Sequence, residues 1–118
     1  MNRSRENRAK GILGEEVVAS FLIREGHTVL ARNFRIRIGE ADIIARKGEQ
    51  LFFIEVKHWS SVGFSHPLEV FSAGKRRKMR AVAEAYLNRN VSLKGCSVSF
   101  CLAFLNEKRE LNFYRNLF

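Results

Sequence analysis

Apolar positions change their period along the chain. Over 8–25 (RAKGILGEEVVASFLIRE), Leu13, Val17 and Phe21 recur at helical spacing, with Val18 and Leu22 as a second stripe. The stripes run nearly all round, which predicts a largely buried helix, and Gly26 stands where a helix ends. The period then shortens. Segments 27–34 (HTVLARNF), 37–46 (RIGEADIIAR) and 50–58 (QLFFIEVKH) read as three strands, the last two joined by the turn Lys47-Gly48-Glu49. Leu51, Phe52, Phe53 and Ile54 are apolar on both faces, as expected of a central strand covered on both sides. A Ser- and Gly-rich loop over 59–67 contains the single proline, Pro67. A second helix over 72–88 presents Met79, Val82, Ala83, Tyr86 and Leu87 inward. Strands at 97–105 and 111–115, separated by the polar turn 106–109, complete the order αβββαββ. The predicted fold class is α/β (α+β), one mixed β-sheet flanked by helices.

At 118 residues, 46% of them hydrophobic, the chain is one domain with material for a real core. No apolar run reaches the roughly 20 residues of a membrane span, and no signal peptide follows the basic N-terminus. A cytoplasmic protein with no membrane partner is expected, residues 1–8 forming a flexible basic arm. Cys96 and Cys101 fall on opposite faces of one strand and read as reduced thiols. His27, His58 and His66 are scattered, which argues against zinc.

Charge narrows the partners. Lys and Arg number 21 against 12 Asp and Glu, a net +9 that attracts polyanions, nucleic acid foremost. The run Lys75-Arg76-Arg77-Lys78-Met79-Arg80 opens the second helix. Such a run is usually a solvated face, but its self-repulsion also suits a phosphate backbone. Arg8 and Lys10, with Arg3 and Arg5, form a second patch, and Arg32, Arg35 and Arg37 a third.

Three carboxylates stand out against this background. Glu55 and Lys57 share a face of the apolar third strand, where a charge is costly unless paired, hydrated or metal-bound. An exposed strand end with an ion pair would give the same pattern. Asp42, the only Asp in the chain, opens the apolar run Ile43-Ile44-Ala45. A hairpin folded about 47–49 places Asp42 almost opposite Glu55, and two such carboxylates repel unless a cation lies between them. A hard divalent ion would satisfy both; alternatively, Glu40 or a nearby arginine neutralises Asp42. Glu15 lies on the first helix among Ile12, Val18, Ala19 and Leu22, either as a functional carboxylate or as ordinary helix N-terminal charge.

Together, Ala41-Asp42 followed by Glu55-Val56-Lys57 resembles the PD-(D/E)XK signature of restriction-endonuclease-like nucleases, with Ala41 in place of the usual proline. Gly14-Glu15, Ala31-Arg32-Asn33-Phe34-Arg35, Gly39-Glu40-Ala41-Asp42-Ile43-Ile44-Ala45, Phe53-Ile54-Glu55-Val56-Lys57, Pro67-Leu68-Glu69 and Ala85-Tyr86-Leu87 extend it. Across nearly the whole chain they resemble the small YraN-type bacterial family, itself similar to archaeal Holliday-junction resolvases. His58-Trp59 and Ser99-Phe100-Cys101 depart from the family's usual residues.

The resemblance implies a single restriction-endonuclease-like domain over 1–118 and a metal-dependent endonuclease acting on DNA, branched or flapped. Asp42, Glu55 and the Val56 carbonyl would hold Mg²⁺, or Mn²⁺ in its place. Glu15 would ligate a second metal or hold a metal-bound water, and Lys57 would orient or deprotonate the attacking water. Arg8, Lys10, Arg35, Arg37, Lys75, Arg76, Arg77 and Lys78 are the expected nucleic-acid contacts. A homodimer would suit branched DNA. The competing expectations are a non-catalytic nucleic-acid-binding module on the same fold and an RNA- or ribosome-associated protein.

Overall fold

A computed structural model describes residues 3–58 and 66–118, with side chains of the first helix described from Leu13 onward. Arg8 and Lys10 therefore lie outside the described side chains, as does most of the expected 59–67 loop. The elements follow the expected order: α1 (Arg3–Arg24), β1 (Thr28–Ile36), β2 (Gly39–Lys47), β3 (Gln50–His58), α2 (Ala73–Arg89), β4 (Ser97–Leu105) and β5 (Leu111–Tyr114). Helix α1 starts at Arg3 and takes in the stretch expected as a basic arm. Arg37 and Ile38, expected within the second strand, form the tight turn between paired Ile36 and Gly39. Two 3₁₀ turns, Pro67–Val70 and Val91–Leu93, flank α2; their few residues carry no periodicity that would predict them.

One mixed sheet runs β1-β2-β3-β4-β5. All neighbours are antiparallel except β3 and β4, which α2 joins as a parallel crossover. The doubly apolar β3 is central because each face is covered. Phe52 and Ile54 pack with Val18, Ala19 and Leu22 of α1, while Leu51 and Phe53 pack with Met79, Val82 and Ala83 of α2. Phe53, fully buried, meets Tyr86 and Phe100 edge-on or tilted at 6.0 Å between ring centroids.

Helix α1 buries less than its sequence suggests. Val18, Ala19 and Leu22 form a single inward stripe, whereas Leu13 and Ile23 are 49% and 59% exposed. The helix covers one sheet face from outside, and only residues three to four apart can face the sheet together. His27 is a packing residue, buried edge-on to Phe52 with its Nδ1 3.0 Å from the Leu22 carbonyl. Cys96 precedes β4 and is half-buried. Cys101 is fully buried with its Sγ 3.3 Å from Ser99 Oγ, and burial pushes its thiol up to about 11. Both cysteines are free thiols, as expected. No helix among the described residues is long and apolar enough to cross a membrane.

Candidate active site

The β2–β3 ladder runs from Lys47↔Gln50 to Ile43↔Ile54, in the register expected from the turn at 47–49. It stops there. At the next position Val56 donates its backbone N–H to Asp42 Oδ2 at 2.8 Å, so a side chain takes the place of a main-chain partner. The strands separate at the two residues whose carboxylates the register brings together. Alternation along β2 breaks at the same point. Ile43 and Ala45 belong to the α1 layer and Ile44 to the α2 layer, yet Ala41 also packs in the α2 layer.

This placement is electrostatically costly. Burial pushes the Asp42 carboxyl from 3.8 up to about 7, reinforced by the negative charges of Glu55, Glu15 and Glu40 and opposed by the Val56 N–H. Neutralisation of Asp42 by Glu40 or a neighbouring arginine does not describe the geometry. Arg35, the nearby candidate, is bonded to Glu40 at 3.0 and 3.2 Å, and Glu40 itself adds to the repulsion on Asp42.

Glu55 has a cationic neighbour. Lys75 Nζ lies 2.8 Å from Glu55 Oε1, with the two side chains 32% and 15% exposed. Lys75 stands in the first turn of α2, where Ser72 Oγ caps its backbone N–H at 3.1 Å. Gly39, Glu40, Glu55, Ser72, Gly74, Lys75, Lys78 and Met79 line a cleft of about 420 Å³ between the start of α2 and the sheet. A Cβ on Gly39 would sit 3.3 Å from Val82 and 3.4 Å from Lys78, so glycine lets α2 press onto the start of β2. Lys57 is half-buried two residues beyond Glu55, on the same face of β3 by alternation.

Glu15 approaches from the other layer. It is half-buried, and desolvation raises its carboxyl above 4.5 while the Asn33 side chain and Arg32 draw it down. The next residue on α1, Glu16, is exposed and ion-paired with Arg32. Gly14 permits the docking, since a Cβ there would collide with the imidazole of His58 at the end of β3.

Asn33 is a site residue that sequence reasoning did not single out. It lies in β1 with φ 52°, a left-handed conformation, between the paired positions Arg32↔Ile43 and Phe34↔Ala41. It therefore stands across from Asp42. In a regular strand Arg32 and Asn33 would point to opposite faces; with Asn33 left-handed, both reach α1, one to Glu16 and the other to Glu15. Asparagine is among the few residues that tolerate this conformation, and asparagine in a strand is the signal available in sequence. Asn33→Val is expected to lower stability by about 1–2 kcal/mol, because a β-branched side chain is strained there. Asn33→Gly should stay close to wild type in thermal denaturation. Equal melting temperatures for the valine variant and wild type would refute the left-handed backbone.

Of the expected site residues, Asp42, Glu55 and Glu15 are electrostatically coupled through Asp42, and Val56 contributes its main chain. Among the described residues no three His, Cys, Asp or Glu side chains are gathered closely enough to enclose an ion. The donor set nevertheless suits a hard cation that needs only one or two carboxylates and retains its waters, as Mg²⁺ does. Arg76 is half-buried, while Arg77 and Lys78 are exposed on the first turns of α2. Arg37 is exposed at the β1–β2 turn, and Arg35 is tied to Glu40.

Comparison with known proteins places the chain among relatives of matching length. A UPF0102 protein of Leptospira interrogans serogroup Icterohaemorrhagiae serovar Lai (strain 56601) is 41% identical, covering 98% of this chain and 99% of its own. A UPF0102 protein of Clostridioides difficile (strain 630) is 38% identical over 95% and 98%, and one of Caldicellulosiruptor saccharolyticus 37% identical over 94% and 98%. Residues 14–106, which include Glu15, Asp42, Glu55 and Lys57, match the uncharacterised protein family UPF0102. The chain belongs to the UPF0102 family, the YraN-type family that its motifs resemble.

Proposed function

We propose that this protein is a metal-dependent endonuclease that hydrolyses DNA phosphodiester bonds, with branched or flapped DNA as the preferred substrate. One observation carries the reading. Asp42 and Glu55 are held together where β2 and β3 separate, at a cost that raises the Asp42 carboxyl to about 7. A fold does not retain uncompensated buried charge for stability, and a perturbed carboxylate such as Asp42, beside the cleft that Glu55 lines, marks a candidate functional site. Asp42 and Glu55 would hold Mg²⁺ or Mn²⁺, with the Val56 carbonyl as a further ligand and Glu15 supporting a second metal or a water. When bound, the ion would polarise the phosphodiester and stabilise charge that develops on its oxygens. Lys57 orients the attacking water, assists its deprotonation and offsets charge in the transition state.

The start of α2 supports a polyanionic partner. The first turn of this helix carries no acidic residue, and Lys75, Arg76, Arg77 and Lys78 crowd the end where the helix dipole already disfavours cations. A phosphate backbone would relieve both penalties. Replacing Arg76, Arg77 and Lys78 with alanine is expected to flatten the log–log salt dependence of duplex binding by about 0.9 per lost phosphate contact. An unchanged slope in a salt titration would remove α2 as the docking surface.

The Lys75–Glu55 ion pair favours a second reading, a non-catalytic nucleic-acid-binding module in which the carboxylates form a structural network. Incubation with linear, flapped and four-way-junction DNA in Mg²⁺, Mn²⁺ or EDTA separates the two. Cleavage that needs metal and disappears in Asp42→Asn supports the nuclease. Binding without cleavage in every condition supports the module.

A further inference from the structure

We propose that Lys75 is an exchangeable counter-ion that couples divalent-metal binding to DNA binding. The inference rests on the nuclease reading and assigns Lys75 a role beyond that of one phosphate contact among several.

Two cations held on the Glu55 carboxylate repel each other at close range. The Glu55 carboxylate is bonded by Lys75 Nζ at 2.8 Å, in a pair shielded enough from water to matter. A metal ion arriving at Glu55 therefore competes with an ammonium already in place. Lys75 has alternatives within the same cleft. Its backbone is fixed by the Ser72 cap, but four methylenes separate Nζ from that anchor, and Nζ already lies 5.6 Å from the centre of the Phe71 ring. A DNA phosphate entering at the start of α2 offers Lys75 an alternative partner with two effects: it removes the competing cation from Glu55 and adds a contact to the substrate. Metal then binds more tightly with DNA than without it, and by linkage DNA binds more tightly with metal, by the same factor.

The arrangement also answers the electrostatic problem of the two carboxylates. Asp42 and Glu55 repel each other, and Lys75 offsets part of that charge until a metal replaces it. Lys57 is reserved for the chemistry; Lys75 shields the Glu55 carboxylate.

The experiment is Mn²⁺ titration calorimetry on the full chain, alone and with a phosphorothioate duplex that resists cleavage, for wild type, Lys75→Met and Glu55→Gln. Methionine keeps the length and apolar body of the lysine stem without its charge. Glu55→Gln measures the Mn²⁺ that the duplex holds by itself. Wild type should bind Mn²⁺ at least about fivefold more tightly with DNA than alone, the lower end of ordinary coupling. Lys75→Met alone should bind Mn²⁺ about as tightly as wild type does with DNA, and the duplex should then add no more than it does for Glu55→Gln. Its Mn²⁺-dependent rise in melting temperature should exceed that of wild type, an independent sign that the variant is folded.

Lys75→Met that binds Mn²⁺ no more tightly than wild type, or retains full coupling to DNA, overturns the counter-ion role while leaving the metal site intact. Wild type that binds Mn²⁺ no better than Glu55→Gln overturns the metal reading itself, and the coupling with it.

Discussion

Asp42→Asn is expected to stabilise the protein and, under the proposed function, to abolish DNA cleavage. The carboxyl sits at about 7 in the fold against 3.8 as an ordinary aspartate, so between those pH values the folded chain holds the extra proton. The stability linked to this group is full below about 3.8 and is lost as pH rises through about 7, opposite to the behaviour of an aspartate stabilised by a cation. Above that range the ionised group costs at most about 4 kcal/mol, the free energy of the full shift. Asparagine is neutral throughout and can still accept from Val56 N–H. Thermal denaturation in EDTA should therefore show the variant melting several degrees above wild type at pH 8, with the gain falling by more than half at pH 5. Loss of stability at pH 8 would mean that Asp42 is well compensated in the fold, and would remove the observation on which the proposed function stands.

Lys57→Ala is expected to lower the cleavage rate by about a hundredfold or more, the scale on which a positioned proton carrier or transition-state cation acts. Mn²⁺ affinity and duplex affinity should change only a few fold, because Glu55 keeps Lys75 as its neighbour and α2 keeps its cations. Lys57→Arg separates the two contributions. Arginine preserves charge but does not give up its proton, so recovery of activity assigns an electrostatic role and continued inactivity assigns proton transfer. Single-turnover rates with saturating metal provide the measurement. Unchanged rates in Lys57→Ala would exclude this lysine from the chemistry.

The β2–β3 hairpin was legible because three local signals agree: a turn at Lys47-Gly48-Glu49, strand periodicity on either side, and one acid on each strand at facing positions. Glu15 was legible for a similar reason, since its apolar helical neighbours imply a half-buried carboxylate. The separation of the strands beyond Ile43↔Ile54 was not, because it depends on a side chain replacing a ladder bond. Asn33 was hidden in the same way: strand periodicity carries no mark of a single left-handed residue. The Lys75–Glu55 pair crosses 20 positions and the loop before α2, so only the packed crossover brings the two together. In sequence, Lys75 is one cation in a run of five, with nothing to distinguish it from its neighbours.

The backbone of β1 also bears on assembly. This strand forms one border of the sheet, yet its register slips between Val29 and Ala31 and Asn33 twists it again, within reach of Arg32 and Arg35. Such a border offers no straight row of amides to another molecule. The opposite border, β5, is only four residues long. Fibril-like stacking and edge-to-edge joining are thereby discouraged at both sides of the molecule. A two-fold assembly of this chain, if it grips branched DNA, would have to be built through helices or loops.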